Sequence, residues 1–399
     1  MLIFTRAHHK LFALETALFF ITICFFLTFI TTGCKTTKQN ISRSGLDSTL
    51  VFTPDKTYTS MRIPALVITQ KGTLLAFCEG RIGTASDWAD MDLLMRRSTN
   101  GGKTWEPHVI IAAKKTGEPT SNATPIVDKD GTIHLLYQRD YARAYYTFSK
   151  DDGKTWSKAA DITYAFDAFK PEYDWKVLAP GPGHSIQLKN GRLLVPVWLS
   201  NPAKMLPRRS HAPSCIATIY SDDLGHTWKR GAIIADNNPD FKNPSETMAI
   251  QLKDGRVMVN IRNVTEKHRR GLSYSKDGIS GWSKPVFDEE LFEPVCMATI
   301  TRLPEKLGGG MLFINPDSRD IPKYPRKNLT ARISNDEGQS WPVKKVIDTG
   351  TSGYSDVAVG ADGTIYCLYE TNSNPGRNFN YSLVLKRFSL NWLTGTSKK

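Results

Sequence analysis

Residues 221–228 read SDDLGHTW, and the same pattern, Ser-x-Asp-x-Gly-x-x-Trp, returns as SKDDGKTW at 149–156 and SNDEGQSW at 334–341. Two looser copies bring the total to five: STNGGKTW at 98–105, with Asn100 in the Asp place, and SKDGISGW at 275–282, with its glycines displaced. Between these boxes stand the turn pairs Lys71-Gly72, Asp130-Gly131, Asn190-Gly191, Asp254-Gly255 and Asp362-Gly363. Each lies between two apolar runs, the strongest short-range signal for a β-hairpin. Successive turn glycines are 59, 60 and 64 residues apart, and the last gap of 108 is nearly two such steps. The missing turn falls at 304–310, between VCMATITRL and MLFIN. Six hairpins at one spacing describe a repeated supersecondary unit. Runs such as IPALVI, TLLAFC and RLLVPVWL are rich in strand formers. Four strands per unit with no exposed edges predicts an all-β fold, a six-bladed β-propeller. A weak echo at SLNW (389–392) ends the sixth unit, and a strand near residues 50–54 is expected to complete that blade. The boxes themselves read as structural: Ser and Asp bond a turn's backbone, Gly takes positive φ, and Trp packs between blades.

Residues 1–33 stand apart. Arg6 and Lys10 precede the apolar stretch TALFFITICFFLTFIT, and Gly33-Cys34 follows. This order predicts a signal peptide of lipoprotein type, with Cys34 lipidated as the first mature residue. Plain secretion and an uncleaved membrane anchor are the alternatives, and all three place the domain outside the cytoplasm. Residues 34–48 are polar and read as a disordered linker, leaving 49–395 for the propeller. Net charge is +13, of which Arg6, Lys10 and Glu15 contribute one unit, two cations less one anion. A basic exported domain suits an anionic partner. No nucleic-acid motif is present, and the one basic run is Lys267-His268-Arg269-Arg270. Cys78, Cys215, Cys296 and Cys367 occur singly, mostly in apolar strands, and read as buried thiols. No metal or cofactor is expected.

Chemistry is expected at the strand ends away from the turns, which radial repetition gathers on one rim. Counting outward from a two-residue turn at Lys71-Gly72 sets Arg62 opposite Arg81. The same count leaves Glu246 and Arg262 one residue out of register, and Tyr354 level with Thr371 beside Glu370. Facing like charges repel, so two arginines at one end make sense around an anion.

Several stretches together resemble the sialidase (neuraminidase) family. They are YTSMRIPALVITQKGTLLAFCEGR (58–81), SETMAIQLKDGRVMVNIRN (245–263), EPVCMATITRL (293–303), RKNLTAR (326–332), YSDVAVGADGTIYCLYE (354–370) and FSLNWL (388–393), alongside the boxes, which look like that family's Asp boxes. The likeness spans about residues 50–395. It implies a retaining exo-α-sialidase that releases terminal sialic acids from glycoproteins, glycolipids or oligosaccharides. By the same resemblance Arg62, Arg262 and Arg326 clamp the sugar carboxylate, with Arg326 preferred to Arg332. Tyr354 is the nucleophile and Glu246 its base. Asp87, on a loop ahead of the strand residues Asp90 and Asp92, is the acid/base. Glu370 braces Arg62, and Arg81 supports the site toward the sugar's 4-hydroxyl.

The chemistry asks for this mix independently. A sugar bearing a carboxylate on its anomeric carbon suits fork-shaped permanent cations. A neutral phenol approaches that anion without like-charge repulsion but requires a base. Two other classes stay open: a non-catalytic glycan-binding propeller with the same boxes, and a trans-sialidase or a glycosidase of a related nonulosonic acid. Sequons at Asn263 and Asn328 flank Arg262 and Arg326, where sugars would block the site.

Overall fold

The computed structural model describes residues 45–372 and 381–396. Six antiparallel sheets follow one another along the chain and form a ring, a six-bladed β-propeller. Blades 1 to 5 span residues 60–112, 120–161, 177–236, 247–292 and 299–351. Blade 6 combines the strands Ser355–Val359, Thr364–Asn372 and Tyr381–Ser389 with the strand Leu46–Phe52, which pairs Leu46 with Phe388 and thereby closes the ring. That strand begins inside the stretch expected to be a linker. The proposed signal region and Cys34 lie outside the described residues.

The five glycine turns correct the expected register. In each, a type I turn is followed by a left-handed glycine, making a three-residue loop rather than a two-residue one. At 252–256 the Leu252 amide donates to the Arg256 carbonyl (2.7 Å) and Gly255 to Leu252 (3.0 Å), with Gly255 at φ 93°. The positive φ is why glycine stands there. One extra loop residue shifts every facing pair by one. Glu246 therefore comes level with Arg262, and Tyr354 level with Glu370. In blade 1 a bulge after Arg62, with Ile63 at φ 57°, adds a further shift. Arg62 faces Glu79, and Arg81 faces Ser60, so the two arginines are not opposite each other.

The boxes close turns that rest on the preceding blade. In the box at 221–228 the Asp223 carboxylate accepts from the Thr227 amide (2.8 Å) and hydroxyl (2.6 Å), and Ser221 Oγ accepts from the Gly225 amide (2.8 Å). Trp228 packs on Tyr146 of blade 2, and Trp156 on Phe77 of blade 1. The two irregular boxes close their turns with similar bonds. Asn100 accepts from the Thr104 amide (3.0 Å), and Asp277 from those of Ile279 and Ser280 (2.9 Å each). The echo at 389–392 is not a box. It starts the helix Leu390–Thr394, capped by Ser389 Oγ, which accepts from the Trp392 amide (3.1 Å).

One buried carboxylate ties four blades together. Asp356, on the first strand of blade 6, accepts from the Leu66 amide of blade 1 (2.9 Å) and the Thr299 hydroxyl of blade 5 (2.9 Å). It also accepts from the His184 amide (2.8 Å) and Nδ1 (2.6 Å) in blade 3. Burial disfavours the His184 cation, but Asp356 outweighs burial and raises its pKa above 6.5. The contribution of this ion pair to stability is therefore complete below about pH 6.5 and lost as pH rises through the raised folded value. Asp356→Ala, which strands several buried donors, should lower the unfolding free energy by roughly 3–5 kcal/mol in denaturant titrations. The stability gap between wild type and His184→Asn should narrow as pH rises; a gap that widens contradicts the pairing.

Candidate active site

The corrected register brings the expected residues to one point on the rim. Tyr354 precedes the strand Ser355–Val359, and Glu246 precedes Thr247–Gln251. The Tyr354 hydroxyl donates to Glu246 Oε1 at 2.5 Å and accepts from Arg262 Nη1 at 2.6 Å. Arg262 Nη1 also bonds Glu246 Oε2. The guanidinium carbons of Arg326, Arg62 and Arg262 lie 5.3, 5.5 and 5.8 Å from the centre of the Tyr354 ring.

The three cations are compensated unequally. Arg62 is held by Glu370 through Nε (3.1 Å) and Nη2 (3.2 Å). Glu370, fully buried, also accepts from the amides of Ile63 (2.9 Å) and Tyr354 (3.1 Å). One carboxylate thus fixes both a clamp arginine and the backbone of the phenol. Arg262 has Glu246. Arg326 donates to the Val295 carbonyl (2.7 Å), and among the described residues no carboxylate lies within 4 Å of it. Arg326 therefore presents a guanidinium with no carboxylate of its own, which an anion would complement. Arg332, its sequence competitor, is instead paired with buried Asp317 at 2.7 Å.

Asp87 sits on the loop between the strands Leu74–Arg81 and Met91–Ser98, with 45% of its side chain exposed. It pairs with Arg81 at 2.9 Å and Arg62 at 3.7 Å. Burial works to raise its pKa, but Arg81 and Arg62 outweigh it and hold the carboxyl below its ordinary value. The competing acids have structural duties: Asp92 accepts from the Tyr58 hydroxyl (2.7 Å), and Asp90 from the Gly117 amide (2.8 Å). Burial pushes the Tyr354 phenol well above its ordinary pKa, against the pull of Arg262 and Arg326. It is a neutral hydroxyl with an acceptor carboxylate in place.

Arg81 is fully buried and bonded to Glu79 and Asp87, so it stands in a supporting place behind the acid. Glu79 had no signal in the sequence, because it lies within an apolar strand. Trp198, Ser210 and His211 were also missed as site residues. With Arg62, Asp87, Glu246, Arg262, Arg326 and Tyr354 they line a cavity of about 310 Å³. A second cavity of about 550 Å³ shares Arg62, Asp87 and Arg326 and opens past Trp88, Arg209 and Tyr381. Trp88 follows Asp87 directly and was the readable hint. Asn263 is buried, bonding the Arg269 carbonyl, and so is closed to glycosylation in the fold. Lys267 and Arg269 share Glu289, and Arg270 is buried on Glu293, so most of the charge of the basic run is compensated. The four described cysteines are free and buried. Among the described residues no group of three or more His, Cys, Asp or Glu converges to hold a metal ion.

The BNR repeat-like domain family matches residues 72–367. A sialidase of Micromonospora viridifaciens is 31% identical over 85% of this chain and 53% of its own length, so this chain spans about half of that relative. An exo-alpha-sialidase of Aspergillus fumigatus is 28% identical over 85% of this chain and 87% of its own. Among solved structures, Hadza microbial sialidase Hz136 superposes with a TM-score of 0.71 at 24% identity, covering 87% of this chain and 69% of that one, which supports the fold.

The unequal compensation has a measurable consequence. Arg326→Met removes an unpaired cation from beside two others, so the unliganded protein should gain stability, on the order of 0.5–2 kcal/mol. Calorimetry showing a lower thermal midpoint for this variant would contradict the charge imbalance described.

Proposed function

The chain belongs to the BNR-repeat sialidase family, and we propose on that premise that it is a retaining exo-α-sialidase acting on terminal sialic acids of glycoconjugates. The observation that carries this reading is the Glu246–Tyr354–Arg262 contact set beside Arg326, a guanidinium with no carboxylate of its own. An anionic sugar with its carboxylate on the reacting carbon fits that pattern. Arg62, Arg262 and Arg326 would take the carboxylate through charge-assisted bonds and hold the anomeric carbon over the Tyr354 oxygen.

Tyr354 then attacks while its proton passes to Glu246, already 2.5 Å away. The oxygen that approaches the anion is neutral at the outset, which is why a phenol serves where a carboxylate would be repelled. Sialidases are the recognised Tyr exception to the two-carboxylate scheme. Asp87 gives a proton to the leaving glycosidic oxygen, then takes one from the water that cleaves the glycosyl–tyrosine bond. In the empty site Arg81 and Arg62 keep Asp87 ionised. A bound carboxylate that engages Arg62 weakens that hold and adds a negative charge nearby. Both effects raise the pKa of Asp87 toward that of a working acid. Two displacements at one carbon give retention.

We also propose, from the apolar run and Gly33-Cys34, that the chain is exported and acylated at Cys34. Mass spectrometry of the native protein that finds residues 1–33 still attached and Cys34 unmodified would remove that reading.

Purified protein should hydrolyse a fluorogenic sialoside and release the α-anomer first, as seen by proton NMR. Tyr354→Phe and Glu246→Gln should each keep the fold and lower kcat by a factor of about 10² or more. Ala at Arg62, Arg262 or Arg326 should raise KM and lower kcat, each substitution removing roughly 1.5–3 kcal/mol of charge-assisted bonding. A first product of β configuration, or near-normal turnover by Tyr354→Phe, would refute this mechanism.

A further inference from the structure

The two cavities of the site differ in which reacting groups they hold. The smaller is lined by Glu246, Arg262 and Tyr354, the groups that would meet the anomeric carbon. The larger, about 550 Å³, lacks all three but shares Asp87, the group assigned to the leaving oxygen. The portion of a substrate that departs begins at Asp87, on the side away from Tyr354, and so extends into the larger cavity. Its wall is built by the acid's own loop, through Trp88, and by the loop between the strands Leu193–Ser200 and Ser214–Ser221, through Arg209 and His211.

Trp88 is wedged where these loops meet. Tyr141 and His211 pack against it, with ring centres 4.9 and 5.5 Å away. The guanidinium carbons of Arg208 and Arg209 lie 5.6 and 5.4 Å from its ring centre. The two arginines sit at similar distances from the ring but are not compensated alike. Arg209 pairs with Asp140 at 2.9 Å and also donates to the Asp140 carbonyl. Arg208 is exposed, and among the described residues no carboxylate lies within 4 Å of it.

A guanidinium stacked on an aromatic ring uses its flat face, so its N–H edge stays free to take a carboxylate through two parallel bonds. Stacking also restricts a long side chain, which lowers the entropy lost when it binds. An arginine on a tryptophan can do no more than staple a loop. Here Asp140 already anchors the loop through Arg209, and Arg208 brings a second cation to the same ring without a partner. Two like charges this close repel, and a carboxylate beside Arg208 relieves both.

We propose that Arg208, stacked on Trp88, is a specificity-determining residue that binds a carboxylate on the leaving portion of the substrate, so that sialosides with an acidic aglycone are favoured. The simplest such aglycone is a second sialic acid. This deepens the sialidase reading and rests on it, with Asp87 as the acid that marks the leaving-group side.

Three substrates test it: 3'-sialyllactose, whose aglycone is neutral, an α2-8-linked sialic acid dimer, and the same dimer with the carboxylate of its aglycone unit converted to an amide. The amide keeps the size and shape of the dimer and removes the charge. We expect kcat/KM of the wild type to fall roughly 5–20-fold from the dimer to its amide, chiefly through KM. Arg208→Gln should abolish most of that difference while changing turnover of sialyllactose by less than about 2-fold, and Arg208→Glu should make the amide the better substrate. Raising salt from about 0.05 to about 0.5 M should shrink the preference of the wild type for the dimer. Equal rates on dimer and amide in the wild type overturn the proposal, as does a preference that survives in Arg208→Gln. Equal losses on all three substrates also overturn it, since they mark Arg208 as a loop staple. The position is exposed, and circular dichroism matching the wild type establishes that both variants are folded. A wild type that turns over none of the three removes the sialidase reading itself. An active wild type indifferent to aglycone charge removes only the role of Arg208.

Discussion

Three guanidiniums gathered around one buried phenol is the constraint to which the rest of the rim answers. Like charges this close, partly withdrawn from water, repel each other and lose hydration. Two are answered by carboxylates of the same fold: Glu370 grips Arg62, and Glu246 touches Arg262. The third, Arg326, has a backbone carbonyl instead. The unmatched guanidinium lines the same cavity as Tyr354. In the proposed function a ligand carboxylate supplies its partner and carries the adjoining carbon to the phenol, so affinity and reaction geometry would come from one feature.

The propeller allows the imbalance to exist. Arg62, Glu246 with Arg262, Arg326 and Tyr354 belong to or border blades 1, 4, 5 and 6. Each sits at a strand end, held by hairpin register rather than by a long loop. A site built this way is only as well placed as the blades are relative to one another. Asp356, two residues beyond Tyr354, ties blades 1, 3, 5 and 6 with one carboxylate. The strand Leu46–Phe52 then closes the ring against blade 6. The one site group on a mobile class of element, Asp87, receives its own fixed partner in Arg81.

Much of this was legible in the residues, for identifiable reasons. The boxes and turn pairs recur at a fixed spacing, so blade number follows from counting. The arginines, Tyr354 and Glu246 stand beside strands whose apolar runs are unmistakable. Register was misread by one, because a Gly in second place suits both a two-residue turn and a three-residue loop, and only backbone bonding separates them. The bulge at Ile63 is likewise invisible, since Ile is a poor choice for positive φ and nothing marks it. Arg81 reads as one more strand-end arginine, like its neighbours. Its burial depends on Glu79, which hides in an apolar run. His211 reaches the site on a loop that carries no periodicity at all, and Trp198, though on the strand Leu193–Ser200, reads as one more apolar strand residue.

In the proposed mechanism Tyr354, with Glu246 as its base and the arginines around it, bonds the anomeric carbon. A sialosyl fluoride carrying fluorine at C3 tests it most directly. Fluoride leaves readily, while the electron-withdrawing C3 substituent slows the second displacement and lets the intermediate accumulate. Peptide mapping after brief exposure should find one added sugar, on Tyr354, with activity recovering as the label is lost. A label on Glu246, Asp87 or any other residue, or full turnover of the reagent with inversion and no labelled protein, would contradict the account.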